Sequence, residues 1–220
     1  MPTEPTYSSD VAFTSSVKAL QALKGSRKAY AHMEEAGSWK TLITPELKAF
    51  IEDQTSVFLA TANSAGQPYI QHRGGPAGFL RVIDDRTLGF VDYAGNRQYI
   101  TLGNISENPK AHLFLIDYAH RQRFKIWGEL RAVEGNHTLT AQLMPAGYKA
   151  RAERVMLFSV SAWDANCPQH IPQRIDAVDV SRVLAERERR IAELEAEVGR
   201  LRSAANRGPI SRVPSTVPPA

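Results

Sequence analysis

Short apolar runs, partly β-branched, alternate with turn signals from Ser56 to Ala162. This texture constrains the fold more than any other feature. Runs of about five to six residues suit strands and are too short for stable helices. Ser56–Ala62 (SVFLATA) is one such run. Asn63-Ser64-Ala65-Gly66 then reads as a hairpin turn, and Pro68–His72 returns as the partner strand. Phe79–Ile83 and Thr87–Tyr93 form a second hairpin around Asp84-Asp85-Arg86. Ala111–Asp117, Phe124–Glu134 and Val155–Ala162 are further strands, with short helical stretches at Leu102–Asn108 and His137–Met144. Six or seven short antiparallel strands with interspersed helices predict a mainly β fold, a small closed or split β-barrel.

The flanks have a different period. Ser15–Ala36 reads as helical, with Gly25 interrupting it. Thr44-Pro45-Glu46-Leu47 is a helix start, with a capping Thr, Pro at the first helical position, and an apolar stripe of Leu47, Phe50 and Ile51. From Val180 to Leu201 the apolar period becomes seven. Leu184, Ile191 and Val198 share one heptad position; Val180, Leu194 and Leu201 share the other, with Arg187 breaking the series. This pattern predicts a coiled-coil-like helix. The expected organisation is a disordered N-terminus over 1–14, a barrel domain over 15–179, a heptad helix over 180–203 and a disordered tail over 204–220.

Composition removes several classes of protein. The 220 residues are 43% hydrophobic and 23% charged, with one cysteine. A lone Cys167 makes neither an intrachain disulfide nor a Cys-rich zinc site. No apolar run reaches the roughly 20 residues that span a bilayer. Met1–Asp10 lacks the basic-then-apolar pattern of a signal peptide, so the expected location is cytoplasmic and no membrane partner is expected. The net charge of +4 hints at nucleic acid. Its distribution argues against that. Val180–Ala220 carries eight Arg against five Glu, while the remaining chain holds 19 basic and 18 acidic residues. The body is nearly neutral, and the tail reads as a solvated charged helix.

Three clusters carry candidate chemistry. Gln71-His72-Arg73-Gly74-Gly75-Pro76-Ala77-Gly78-Phe79 sets cationic and amide side chains beside glycines. Exposed N–H groups and a guanidinium suit an anionic head group. The same run equally suits a tight β-connection. Asp92-Tyr93-Ala94-Gly95-Asn96-Arg97-Gln98-Tyr99 follows a strand and precedes a short helix. Asn96, Arg97 and Gln98 thus lie near a helix N-terminus, which favours phosphate, although a simple cap with a solvated arginine fits as well. Arg121-Gln122-Arg123 precedes the strand from Phe124. It offers donors to a carbonyl-rich ring, or plain turn residues.

In this order, these segments resemble the pyridoxamine 5′-phosphate oxidase-like FMN-binding split-barrel superfamily over Pro45–Ala162. SVFLATANSAGQPYIQHRGG is similar to its opening hairpin. LGFVDYAGNRQYITLGNISENPKAHLFLID is similar to its central segment, where a strand passes through a G-[SN]-R-[KQ] turn into a short helix. RQRFKIWGELRAVE resembles the following strand. The resemblance implies a homodimer with FMN at each of two subunit interfaces. It implies that Arg97, Asn96 and Gln98 hold the phosphate, with Gln98 standing where the oxidase has a lysine. Gly78, Phe79, Leu80 and Arg81 match the strand that passes the flavin ring, where backbone groups would contact the ring edge. Asp92 matches a hydroxyl residue at the flavin tail, and Arg123 a glutamine near the ring. His72 and Arg73 belong to an HRGGP signature of one branch and are candidate cofactor residues through it.

The oxidase ends in a Trp-Arg-rich segment that binds the substrate phosphate. Here the corresponding stretch leads through Cys167-Pro168-Gln169-His170-Ile171-Pro172-Gln173-Arg174, so the pyridoxamine phosphate reaction is not assigned. Cys167 and His170 read as a redox pair or two ligands, or as part of a proline-fixed loop over the barrel, which is the favoured reading. The implied function is an FMN-dependent oxidoreductase using NADH or NADPH as donor, with the substrate open. The alternatives are a non-catalytic FMN carrier or sensor and a flavin-free interaction module.

Overall fold

The computed structural model describes residues 7–165 and 168–206. The chain divides into two compact units, Met1–Gln173 and Arg174–Ala220. The first unit holds α1 (Ser15–Leu23), α2 (Arg27–Glu35), α3 (Pro45–Asp53), β1 (Ser56–Ala62), β2 (Pro68–Gly74), β3 (Leu80–Val82), β4 (Thr87–Tyr93), α4 (Ile100–Glu107), β5 (Lys110–Asp117), β6 (Gln122–Val133), α5 (His137–Leu143) and β7 (Ala152–Ala165). The second holds α6 (Ala177–Ala205). No described helix is long and apolar enough to cross a membrane.

All seven strands join one antiparallel sheet in the order β2-β1-β5-β6-β7-β4-β3. The sheet curls into a split half-barrel, because Arg73 on the β2 edge bonds Asp92 on β4 near the other edge. The inward face follows the period of two. In β1, Val57, Leu59 and Thr61 are buried; in β5, Ala111, Leu113 and Leu115 are. Phe90 and Phe158 fill the centre. Each buried Leu or Phe contributes about 1.5–3 kcal/mol. α3 plugs one end with Leu47 and Ile51, and its Thr44 side chain caps Leu47 N–H as the sequence predicts. α4 closes over β1, where Asn104 donates to Thr61.

The strand pattern is that of the sequence, with longer members. β6 begins at Gln122 and β7 runs from Ala152 to Ala165. Charged residues at the ends of these two strands continue the ladder although they interrupt the apolar run. Both strands bend at a register shift between Trp127 and Gly128. A Cβ on Gly128 would lie 2.1 Å from the Ser159 carbonyl oxygen and 2.6 Å from the Phe158 ring. That close approach requires glycine.

The N-terminal segment differs from expectation. The stretch 7–14, expected to lack order, forms a one-turn helix at Ser8–Val11 with Ser9 buried. Residues 1–6 lie outside the described residues. The predicted helix over Ser15–Ala36 splits in two because Gly25 adopts φ +84°. Glu34, almost fully buried, pairs with Arg27 and Lys18, and Lys18 also bonds Asp10 at 2.7 Å. This ionic cluster ties the segment together. Trp39 stacks on Trp127 at 4.6 Å, and Trp163 donates from Nε1 to the Leu42 carbonyl. The segment is therefore fastened to β6 and β7. The spaced partners of Glu34 leave no local pattern to read.

Two outcomes test this packing. Gly128→Ala is expected to cost at least about 3 kcal/mol, seen as a lowered urea midpoint or loss of soluble protein. His112, whose ring packs edge-on against Trp127, has its pKa lowered to about 4 by burial and by the charge of Lys125. The unfolded chain therefore takes up this proton first, and stability falls as pH drops from about 6.5 toward 4. Between pH 7 and pH 5 the wild type is expected to lose about 1 kcal/mol more than His112→Gln in urea titrations, allowing for partial exposure.

Candidate functional site

One cavity gathers the polar chemistry. It lies where β2, β4, β7 and the start of α4 meet, and has a volume of about 60 Å³. At roughly 10–15 Å³ of such space per water, it admits a small polar group such as a phosphate.

Its floor is an ionic network. Asp92 is buried, and both its carboxylate oxygens are engaged. Arg73 Nη1 donates to one at 2.5 Å, and Arg154 Nη1 to the other at 2.9 Å. Register explains the second contact, since Asp92 and Arg154 are direct partners across β4 and β7. Arg154 also bonds Glu134 at 2.6 Å and Glu153 at 3.2 Å. Burial alone would lower its pKa. The bonds to Glu134 and Asp92 outweigh burial and raise it, so Arg154 is a fixed cation. Arg73 keeps a buried Nε with no hydrogen-bond partner among the described residues. An unpaired donor in a buried polar cleft is costly unless a further group bonds it.

The rim is the loop from Ala94 to Tyr99. Arg97 and Tyr99 both take the left-handed conformation, φ 60° and 54°. A non-glycine residue there is strained, by on the order of 1 kcal/mol each. Between them the Gln98 N–H donates to Asn96 Oδ1 at 3.4 Å, which closes the turn. Tyr99 begins α4 without a side-chain cap, leaving first-turn N–H groups available. The Arg97 guanidinium is exposed and approaches Glu153 at 3.5 Å. Three arginines thus face two carboxylates around the cavity. The donor set fits an anionic phosphate.

The sequence-predicted residues divide between places. Arg73, Asp92, Asn96, Arg97 and Gln98 line this cavity. His72 points to the opposite face of β2, where it bonds Ser56 Oγ at 2.8 Å. Phe79 and Leu80 are core side chains, leaving only their backbone for contact. β3 is an edge strand, so part of that backbone is unpaired by the sheet. Gly78 accepts from Arg81 Nε at 3.2 Å, and Arg81 also reaches the Gln142 carbonyl. Arg123 lies on β6 and lines a separate cleft with Phe50, His120 and Pro168. Its Nε is buried without a hydrogen-bond partner among the described residues. Cys167 lies outside the described residues. His170 takes φ 65° in a turn held by buried Ile171 and by Gln173 Nε2 bonding Ala119 O at 2.9 Å. No group of three metal-ligating side chains occurs among the described residues. The residues missed by sequence reasoning are Arg154, Glu153 and Tyr93. Only strand register places Arg154 beside Asp92, and no local motif signals it.

A split half-barrel with an anion cavity at the β4–α4 turn defines the class of protein. Residues 43–167, more than half of the chain, match the family model for pyridoxamine 5′-phosphate oxidase, and the chain belongs to that family. No curated protein matches it. Among solved structures, HupZ of Group A Streptococcus is 22% identical with a TM-score of 0.47, covering 60% of this chain and 99% of that one. An FMN-binding protein from Syntrophomonas wolfei is 14% identical, TM-score 0.44, covering 66% and 97%. HutZ, the heme storage protein from Vibrio cholerae, is 16% identical, TM-score 0.36, covering 55% and 89%. At such scores these likenesses carry no functional argument.

The ionic floor yields a prediction. Asp92→Ala leaves two partly buried arginines without their shared carboxylate. It is expected to cost about 3 kcal/mol in urea unfolding, with Asp92→Asn costing less because the amide oxygen still accepts.

Proposed function

We propose that the protein is a homodimeric FMN-dependent oxidoreductase that takes electrons from NADH or NADPH. The observation that carries this reading is the small polar cavity with its unpaired, buried Arg73 Nε beside a strained Arg97 loop. Arg97, Asn96, Gln98 and the first N–H groups of α4 would hold the FMN phosphate. Arg73 and Arg154 would supply fixed positive charge beneath it, with Asp92 positioning both. Gly78–Arg81 and Arg123 would meet the ring, each from one side of the subunit boundary. A bound flavin supplies hydride and single-electron chemistry, and the protein contributes binding, orientation and electrostatics.

The outward sheet face supports the dimer. Ile70 is 63% exposed, and Phe58, Phe114 and Ile116 lie partly exposed on the same face of β2, β1 and β5. Continuous apolar surface of this kind marks a protein interface.

The test is an absorbance spectrum of protein reconstituted with FMN, followed by anaerobic addition of each nicotinamide. Retained flavin that bleaches and then reoxidises in air is expected. Flavin that stays oxidised with both donors would leave a carrier, and protein that retains none would overturn the proposal. Arg97→Ala is expected to weaken FMN binding about 10- to 100-fold with an unchanged urea midpoint. Unchanged affinity would remove the phosphate assignment. Deleting all residues after Asp179 is expected to leave a dimer in sedimentation, because the sheet face holds it. A monomer would sink that part of the reading.

A further inference from the structure

The second unit presents an apolar stripe along one helix. α6 runs through 29 residues, and none is buried. Leu184, Ile191, Leu194, Val198 and Leu201 are each 44–62% exposed. A groove of about 400 Å³ runs along the stripe between Ile191 and Arg202, where Gly199 leaves room beside the seam. Such a groove accepts side chains from a facing helix. With Leu184, Ile191 and Val198 at a, the d positions are Val180, Arg187, Leu194 and Leu201.

We propose that α6 pairs with α6 of a second copy of this chain as a parallel, in-register, two-stranded coiled coil. Charge placement selects the partner and its direction. In a parallel pair, g of one helix meets e of the next heptad on the other. Arg190 at g then faces Glu195 of the second copy, and Glu197 at g faces Arg202. Both contacts are attractive, and two-fold symmetry doubles them. Within its own helix Arg190 bonds Glu193 through Nη1 at 3.1 Å, leaving its other nitrogens for this contact.

The antiparallel arrangement that keeps Ile191 against Leu194 sets Glu188 against Glu195, a repulsive contact made twice that offsets its attractive Arg190–Glu197 contact, so it gains less from charge than the all-attractive parallel register. It also places Arg187 in two seam layers, each against an apolar residue. The parallel register confines Arg187 to one layer, where its long stem packs and its head reaches water. A slip of one heptad again makes two such layers. A single charged seam residue therefore favours this register at some cost in stability. So short a helix is marginal alone, and attachment to a second contact between the same chains would raise its effective concentration.

The experiment uses the full chain carrying Cys167→Ser and Leu201→Cys, equilibrated in glutathione redox buffer. In the parallel register the two new thiols face each other at a d layer. In the antiparallel one each faces Leu184 of the other copy. A covalent dimer of twice the 24.4 kDa chain on a non-reducing gel is expected. Adding Glu195→Arg is expected to reduce the effective concentration of the two thiols about tenfold, and adding Arg190→Glu to that variant is expected to restore it. Absence of a covalent dimer would overturn the pairing. Equal yields across the charge variants would overturn the register. The truncated chain that tests the sheet interface lacks α6, so failure of one result is separable from failure of the other.

Discussion

Asp92 holds two arginines that arrive from different strands. Arg73 comes from β2, at one end of the sheet. Arg154 comes from β7, next to Asp92's own β4 near the other end. The pairing is thus both a closure and a floor. It ties the free edge of β2 to β4 across the mouth of the curled sheet. It also fixes two guanidinium groups beneath the cavity. Three buried or partly buried charges are expensive to desolvate, and they repay that cost only in good geometry. Long, bent β6 and β7 supply that geometry, and their bend depends on Gly128 approaching Ser159.

Strain and missing partners fall together at this place. Arg97 and Tyr99 are held in left-handed backbone, and the unpaired Arg73 Nε lines the same cavity. A folded chain tolerates such costs where surrounding structure overdetermines them. Here β4 on one side and α4 on the other fix both ends of the loop. The arrangement gains most from an anion that satisfies the donors and relieves repulsion among the arginines. That physical need, more than the family relationship, identifies the cavity as the candidate site.

The segment before the family match has a different logic. Its ionic cluster around Glu34 and its aromatic contacts through Trp39 attach it to β6 and β7. The family match begins at residue 43, so this attachment lies outside the matched residues. None of it was legible in advance, because the ion pairs join residues seven to 16 positions apart along the segment. By contrast, every barrel strand was legible, since period-two burial as in β1 and β5, or an unbroken apolar run as in β4, leaves its mark within about five to eight residues. Arg97 was legible too, from a strand followed by a glycine-containing turn and a helix start. Arg154 was not, because its role comes from a partner 62 residues away.

The sequence by itself determined the strands, the hairpin turns, the capped α3 and the heptad stripe of α6. Each is encoded by neighbours along the chain, through side-chain period, turn chemistry and capping. Tertiary structure alone decided which face each candidate residue serves. Adjacent His72 and Arg73 separate to opposite sides of β2, and Phe79 and Leu80 disappear into the core while Arg73, Asp92 and Arg97 converge. Strand register decides this, since a shift of one residue exchanges the two faces of a strand. Within each hairpin the turn sets that register, while pairings such as β1 with β5 and β4 with β7 join segments far apart in the chain.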